Sequence, residues 1–420
     1  MYALVDGNNF YASCERVFRP DLQGIPIVIL SNNDGVIIAR SNEAKALGIP
    51  MGLPYFKSKN LILKHKIKIF SSNYALYGDM SNRMMNIMKM FTPDVEIYSV
   101  DEAFLKFKGF KNYDLNAYGQ KIQKTILKST GLPTSIGIAK TKSLAKVANK
   151  IAKKFPDRTK SVYYIDNEEK RIKALRWTKI SDVWGIGRKH SKRLQAVGVE
   201  NAYQFTQMSD TWVRKHMSIV GLRLKKDLLG ESIIQFEEIR NKQSIATTRS
   251  FDKTYTEFKD LRERISTFAF SCAEKLRQQK SQANAIMIFI QTNGYKNSQA
   301  QYSKSIVVKL PFATNSSIDL VKYAVNGLNR IFKKEYQYKK AGVIVMDLCQ
   351  EFPDQLNLFE DKNPKHKKLM QTIDQLNLDY GRHTVKLASQ DLNKMWKMKQ
   401  ENLSQRYSTD LNEIIIVNTK

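Results

Sequence analysis

The sequence predicts a multidomain α+β protein, and three observations support this fold class. The chain has 420 residues, 42% of them apolar, which is enough for roughly three domains with their own hydrophobic cores. Strand and helix patterns are mixed in the first part of the chain, wholly helical in the middle, and mixed again in a new order afterwards. The net charge of +29 is unevenly distributed along the chain. A single small module and a disordered chain are therefore excluded.

Residues 1–165 combine short apolar strands with amphipathic helices. An Asn-Asp-Gly turn at 33–35 separates two apolar runs and predicts a hairpin. Ser41 is a suitable N-cap for a short helix that ends at Gly48. The predicted elements are strands at 2–5, 27–30, 36–39, 95–100 and 103–107, and helices at 10–18, 41–48 and 143–154.

Residues 171–230 are predicted to be helical with short loops, and the polar stretch at 237–242 is a predicted linker. A strand, helix, strand, strand, helix, strand order follows, which predicts a ferredoxin-like split βαβ domain. The near-neutral residues 351–420 are predicted to form a C-terminal tail that binds partners. The elements of the split βαβ domain are predicted at 243–251, 257–279, 283–292, 302–310, 317–334 and 341–348.

Charge and cysteine content restrict the classes of function. The 69 Lys and Arg residues against 40 Asp and Glu residues create a positive field that favours nucleic acid over a membrane surface as the partner. The three cysteines are scattered and predict neither disulfides nor a zinc site. Because there is no apolar stretch of about 18 residues and no basic leader, we expect no membrane association and a cytoplasmic location.

Three carboxylates, Asp6, Asp101 and Glu102, are the first candidates for chemistry. Each lies at the end of an apolar strand, where a rigid sheet holds a side chain at the surface. Carboxylates that converge repel one another unless a divalent cation lies between them, and Mg²⁺ prefers such oxygen ligands. Each alone is more often a solvated acid, so the metal-site prediction depends on their combination.

Residues 180–194 predict a helix-hairpin-helix. A Gly-Ile-Gly turn allows backbone N–H groups at the start of the second helix to approach a phosphate, and basic side chains follow directly. This arrangement suits binding of duplex DNA without sequence readout, with an ordinary αα-hairpin as the alternative. The candidate DNA-binding residues are Gly185, Gly187, Arg188, Lys189 and Lys192.

Three further side chains suit a nucleotide site. Lys45 lies one turn into the helix after Ser41, and Lys146 lies near the start of the helix at 143–154. Both suit a triphosphate, although lysines on helices are usually solvated. Tyr11, five residues after Asp6, either stacks beneath a sugar or packs in the core.

A short motif lies beyond the last predicted domain. A polar anchor followed by leucines and an aromatic residue is typical of segments that dock into a hydrophobic pocket of a partner. The alternative is that these residues pack against the preceding domain. The candidate residues are Gln355, Leu356, Leu358 and Phe359.

Six segments carry, in their order, a resemblance to a known family: 10–15, 17–22, 30–35, 71–74, 183–187 and 355–359. Through them nearly the whole chain resembles the Y-family of translesion DNA polymerases. The resemblance implies a right-hand polymerase with a helix-hairpin-helix in its thumb. The implied domains are a palm at 1–20 and 73–165, fingers at 21–72, a thumb at 166–236, a little finger at 243–350 and a tail at 351–420.

The resemblance also implies an activity: error-prone DNA synthesis past damaged bases, as in SOS mutagenesis, by two-metal nucleotidyl transfer without proofreading. Two Mg²⁺ ions would catalyse the transfer. Their ligands would be Asp6, the Gly7 carbonyl, Asp101 and Glu102.

Binding residues and partners are implied in the same way. Tyr11 would exclude ribonucleotides, Lys45 and Lys146 would hold the incoming triphosphate, and residues 355–359 would bind the sliding clamp. The implied partners are primer–template DNA, a dNTP, the sliding clamp, a processed UmuD dimer and RecA. The implied location is the nucleoid of a bacterial cytoplasm.

Two other functions remain open from the residues. A non-catalytic DNA-binding protein would share the charge and the hairpin but would not need the three carboxylates together. A nucleotidyl cyclase would use the carboxylates but has no duplex to hold, so the hairpin and the clamp-like motif argue against it.

Overall fold

The computed structural model describes residues 1–237, 241–296, 298–351, 365–381, 383–392 and 398–416. The chain forms two compact units, one of residues 1–238 and 400–420 and the other of residues 239–399. The first boundary lies in the predicted linker at 237–242. The residues predicted as one tail, 351–420, are divided between the two units.

Strands and helices alternate along most of the first unit, close to the positions predicted for residues 1–165. Its strands are β1 (Tyr2–Gly7), β2 (Ile27–Leu30), β3 (Ile37–Arg40), β4 (Lys68–Ser71), β5 (Val95–Ile97), β6 (Glu102–Lys106), β7 (Thr134–Ala139) and β8 (Val162–Tyr164). Its helices are α1 (Phe10–Phe18), α2 (Asn42–Ala46), α3 (Tyr55–Lys64), α4 (Tyr74–Lys89), α5 (Leu115–Thr130), α6 (Lys142–Lys154), α7 (Pro156–Thr159), α8 (Glu168–Trp177), α9 (Arg188–Gln195), α10 (Ala202–Thr206) and α11 (Asp210–Leu228). In the part of the chain that the structure describes, no helix is long and apolar enough to span a bilayer.

The larger sheet of this unit has the strand order β5-β6-β1-β7-β8. β1 pairs antiparallel with both β6 and β7 and is buried along its whole length, which explains its unbroken apolar run. Ala3 and Val5 pack toward α1, α4 and α5, whereas Leu4 packs toward α6 on the other face. This central strand ends at the candidate ligand Asp6.

A close approach between β7 and α6 fixes the position of that helix. A Cβ atom on Gly137 would lie 2.0 Å from the backbone nitrogen of Asn149, so the contact requires glycine. The Asn149 side chain also donates a hydrogen bond to the Ser135 carbonyl at 2.7 Å. The lysines of α6 are therefore held at a defined place beside the sheet.

The smaller sheet of the first unit has the strand order β3-β2-β4. β2 pairs antiparallel with β3, which confirms the predicted hairpin, and parallel with β4. Ser41 Oγ accepts a hydrogen bond from the Ala44 N–H at 3.3 Å, which confirms the predicted N-cap of α2.

Residues 171–230 are helical, as predicted, but the helix-hairpin-helix differs from the prediction in its first helix. Ile180–Asp182 forms only one 3₁₀ turn, because Val183 after it adopts an extended backbone conformation with φ −73° and ψ 130°. The second helix, α9, begins at Arg188. The turn between them contains Gly185 with φ +82°, a conformation that favours glycine.

The second unit confirms the predicted split βαβ order. Its elements are β9 (Ile245–Tyr255), α12 (Phe258–Gln278), β10 (Ser281–Thr292), β11 (Ser303–Thr314), α13 (Ser317–Ile331), β12 (Tyr338–Gln350) and α14 (Lys365–Asp379). The sheet order is β11-β10-β12-β9 with antiparallel neighbours. Helix α12 connects β9 to β10, and β12 lies between these two strands in the sheet. Helix α13 connects β11 to β12, and β10 lies between them.

Helix α14, which belongs to the second unit, was not predicted from the sequence. Its Met370 and Ile373 are buried in the core of that unit. Arg277 of α12 forms an ion pair with Asp374 at 2.6 Å. Part of the predicted tail is therefore an integral helix.

Candidate active site

A cavity of about 590 Å³ lies beside the ends of β1 and β6. Residues of α1, β3, α2 and α6 complete its wall. With the exception of Lys146, every residue predicted to bind metal or nucleotide lines this cavity. The lining residues with polar side chains or predicted roles are Asp6, Gly7, Asn8, Asn9, Tyr11, Arg40, Asn42, Lys45, Asp101, Glu102 and Lys153.

Asp6 and Glu102 lie opposite each other on the neighbouring strands β1 and β6. Asp6 is 5% exposed, and burial raises its pKa to about 7, an effect that the nearby Lys153 opposes. Burial also disfavours ionisation of Glu102, but hydrogen bonds from Asp6 and Lys146 hold the pKa of Glu102 below its ordinary value. The two pKa values are shifted in opposite directions, so Glu102 is the more readily ionised member of the pair.

Asp101 lies in the turn that precedes β6. Its carbonyl accepts a hydrogen bond from the Gly7 N–H at 2.8 Å, and its Oδ1 accepts one from Ser99 Oγ at 2.6 Å. The three predicted carboxylates thus share one cavity. Within the described ranges, however, no group of three or more His, Cys, Asp or Glu side chains is close enough to hold a metal ion, so the structure does not show all three converging on one point.

The oxygen atoms at this end of the cavity fit a hard divalent cation. Asp6 Oδ1 is buried without a well-directed hydrogen bond from any described residue, and Lys153 Nζ lies 2.5 Å from it as an ion pair. Carboxylate and carbonyl oxygens are the ligands that Mg²⁺ prefers. A divalent cation here would supply the neutralising charge that a proton and an ammonium group supply otherwise.

Lys45 lies in the cavity wall, as predicted. Its ammonium group donates a hydrogen bond to Asn9 Oδ1. Burial lowers the pKa of Lys45, and the positive charges of Arg40 and Lys153 lower it further. Three cations therefore surround one part of the cavity, which suits a polyanionic ligand.

Lys146 is not among the residues that line the cavity, and its binding of a triphosphate stays a prediction. Its Nζ lies 2.8 Å from Glu102 Oε2 and 4.2 Å from the centre of the Tyr98 ring. These two contacts place the Lys146 ammonium group beside the Glu102 carboxylate.

Two basic residues of the cavity wall, Arg40 and Lys153, were not predicted from the sequence. Lys153 follows Lys146 by seven residues, so helical spacing places both on the same face of α6, and this signal could have identified it. No local pattern marks Arg40, which ends β3, because its position depends on the packing of β3 against α1.

The Tyr11 ring packs against other aromatic rings and also lines the cavity, so the packing interpretation is confirmed and the contact with a sugar stays a prediction. It stacks on Tyr77 of α4, with ring centres 4.4 Å apart and planes 17° apart. Tyr77 is fully buried, and Tyr74 meets the Tyr11 ring edge-on at 6.2 Å. Tyr11 is one of the residues that line the cavity, as is Asp6.

The candidate DNA-binding residues lie together at the start of α9. Gly187 is the N-cap, and Arg188, Lys189 and Lys192 are exposed. Arg193 is used differently, since its guanidinium donates a hydrogen bond to the His216 carbonyl at 2.7 Å. The exposed cations therefore lie next to a glycine turn, as the DNA-binding prediction requires.

Family models match three parts of the chain. The model described as the impB/mucB/samB family matches residues 5–150, and the model of its C-terminal domain matches residues 242–358. A domain of unknown function matches residues 367–417.

The predicted clamp-binding residues lie outside the described residues; they are Gln355, Leu356, Leu358 and Phe359.

Individual proteins are similar over nearly the whole chain. Protein UmuC of Salmonella typhimurium is 42% identical over 99% of this chain and 100% of its own. DNA polymerase IV of Treponema denticola is 26% identical over 91% of this chain and 95% of its own. A solved Y-family DNA polymerase chimera of Dbh and Dpo4 has a TM-score of 0.67 at 20% identity and covers 83% of this chain and 99% of its own. The predicted polymerase fold is thereby confirmed, and the chain belongs to the impB/mucB/samB family as a UmuC-like Y-family DNA polymerase.

Proposed function

We propose that this chain extends a DNA primer along a template past damaged bases, using deoxynucleoside triphosphates. The observation that carries the proposal is the carboxyl pair of Asp6 and Glu102, held in register on buried strands in a cavity with several cations. Carboxylates beside cations suit the transfer of a nucleotide from a triphosphate to a hydroxyl group. The relatives named UmuC and DNA polymerase IV support the same activity.

Two Mg²⁺ ions belong to the proposed site, with Asp6, the Gly7 carbonyl, Asp101 and Glu102 as their ligands. When bound, such ions lower the pKa of an attacking hydroxyl and balance charge on phosphate oxygens. The rigid pairing of β1 with β6 orients two of the four ligand groups before any ion binds, which lowers the cost of assembling the site.

The surrounding side chains have separate proposed roles. Lys45, Arg40 and Lys153 attract the triphosphate into the cavity. Lys146 keeps Glu102 ionised and oriented through its ion pair. Tyr11 limits the space beside the sugar and so disfavours a 2′-hydroxyl.

The proposed DNA contact is the glycine turn with Arg188, Lys189 and Lys192, which binds the phosphate backbone without reading bases. Further proposed partners are the sliding clamp at residues 355–359, and a processed UmuD dimer and RecA, by analogy with UmuC. After the 3₁₀ turn at 411–413, the apolar side chains of Ile414, Ile415 and Ile416 are exposed. Exposed apolar side chains of this kind suit contact with one of these partners.

Primer extension tests the proposal. The purified protein, with Mg²⁺ and its expected partners, should extend a primer on a template with an abasic site, and Asp101→Asn should reduce kcat by at least about 100-fold. Asp166→Asn is the matched control, because Asp166 pairs with Lys170 at 2.7 Å and does not line the cavity. A non-catalytic DNA-binding protein would bind the template and extend nothing. Full activity of Asp101→Asn would also contradict the proposal.

A further inference from the structure

Residues 400–413, here called the C-terminal strap, pack on the unit that contains the cavity. Near the start of the strap, the Ser71 N–H donates to the Asn402 carbonyl at 2.8 Å, and the Asn402 N–H donates to Ser71 Oγ at 3.0 Å. Further along, Tyr407 is 9% exposed and stacks on Phe18 of α1, with ring centres 4.8 Å apart. The strap is therefore anchored at the end of β4 and on the helix that carries Tyr11.

Ser404 lies between these anchors, and the structure fixes the direction of its hydroxyl hydrogen bond. Asn73 Nδ2 donates to Ser404 Oγ at 3.0 Å. The Asn73 amide has one orientation, because its Oδ1 accepts the Leu76 N–H at the start of α4. The hydroxyl hydrogen of Ser404 is thus available for Glu15 Oε1, which lies 3.0 Å away.

Glu15 connects the strap to the aromatic wall of the cavity. It is fully buried and lies one turn after Tyr11 on α1. The Tyr77 hydroxyl donates to the same Oε1 at 2.6 Å, while Oε2 is buried without a hydrogen bond from any described residue. Since Tyr77 stacks on Tyr11, contacts run without a gap from Ser404 through Glu15 and Tyr77 to Tyr11.

We propose that Ser404 is a positioning residue for Tyr11 and that the strap thereby sharpens discrimination against ribonucleotides. A buried carboxylate that loses one of two donors reorients, and the hydroxyl of Tyr77 follows it. The Tyr11 ring then loses its fixed support beside the sugar. This inference rests on the proposed function, and it assigns a role to part of residues 367–417, whose family model has no stated function.

A purely structural strap would behave differently. The anchors at Ser71 and Phe18 do not use the hydroxyl of Ser404, so both remain when only that hydroxyl is removed. Loss of that hydroxyl therefore separates attachment of the strap from support of Tyr11.

Single-nucleotide extension by the full-length protein tests the inference, with kcat and KM measured separately for dCTP and CTP. Ser404→Ala should lower the ratio of dCTP to CTP efficiency on the order of three- to tenfold, mainly through a lower KM for CTP. Ser404→Thr, which keeps the hydroxyl, should stay within about twofold of the wild type. Leu411→Ala is the matched control, because this strap residue is 86% exposed.

An unchanged ratio in Ser404→Ala, or an equal loss in Ser404→Thr or Leu411→Ala, would overturn the inference. If the wild-type protein extends no primer, the proposed function fails, and hydrogen exchange still decides the structural part. Ser404→Ala should then speed amide exchange in residues 10–18 relative to Leu411→Ala. Equal exchange in the two variants would remove the link between strap and α1.

Discussion

The two lysines of α6 near the cavity are expected to act on different kinetic constants. Lys153 lines the cavity, so Lys153→Ala should raise KM for the dNTP by about tenfold with a smaller change in kcat. Lys146 contacts Glu102 instead, so Lys146→Ala should mainly lower kcat. Steady-state extension kinetics measure both constants. If Lys146→Ala raises KM for the dNTP and Lys153→Ala leaves KM unchanged, Lys146 and not Lys153 binds the triphosphate.

Glu15 gives the protein a predictable dependence of stability on pH. Burial raises the pKa of Glu15 to about 7 from 4.5, although hydrogen bonds from Tyr77 and Ser404 oppose the shift. The folded state therefore binds this proton more tightly than the unfolded state does, and the resulting stability is complete below pH 4.5 and lost as the pH rises through 7.

Glu15→Gln has no charge to bury, so its free energy of unfolding relative to the wild type should increase between pH 5 and pH 8. The increase should reach at most about 3 kcal/mol. Urea denaturation at the two pH values measures it. Glu200→Gln, at an exposed position, is the control for loss of a surface charge, and an equal change in both variants would show that Glu15 is not the titrating group.

Among the elements, α9 has the clearest expected effect on binding. Lys189→Ala and Lys192→Ala should each weaken DNA binding by a similar factor for all sequences and reduce the slope of log K against log salt by about 1. Fluorescence anisotropy at several salt concentrations measures this slope. Lys128→Ala, on the exposed side of α5, serves as the control. A change that depends on base sequence would contradict backbone contact.

Elements with strong local signals could be predicted from the sequence. β1 has an unbroken apolar run, Ser41 caps α2, and the second unit has a regular order of strands and helices. Helix α14 was missed although four apolar residues recur at helical spacing: Leu369, Met370, Ile373 and Leu376. The near-neutral charge of residues 351–420 suggested a tail instead. The first helix of the hairpin was overestimated because no sequence signal marks the extended conformation of Val183 that ends it after one turn.

The candidate site was predictable only in part, because local sequence signals mark some of its residues and contacts between distant segments position the others. Asp6 and Glu102 end or begin apolar strands, and antiparallel pairing brings such positions together. Arg40 and the strap depend on contacts between segments far apart in the chain, as between Ser404 and Glu15. No spacing rule connects residues that are hundreds of positions apart.

Across the whole molecule, the division of the chain predicts an unusual result in limited proteolysis. The chain leaves the first unit at 238 and re-enters it at 400, and buried contacts such as Tyr407 hold the returning segment. A single cut in the stretch 238–242 should therefore yield two fragments that elute together in native size exclusion and separate in denaturant. Fragments that separate without denaturant would show that the strap does not keep the two fragments associated.

The return of the chain at 400 means that the second unit is joined to the first by a closed loop and not by one hinge. Closing such a loop costs entropy once, when the protein folds. Two connecting segments also raise the effective concentration of one unit for the other above the value that a single segment gives.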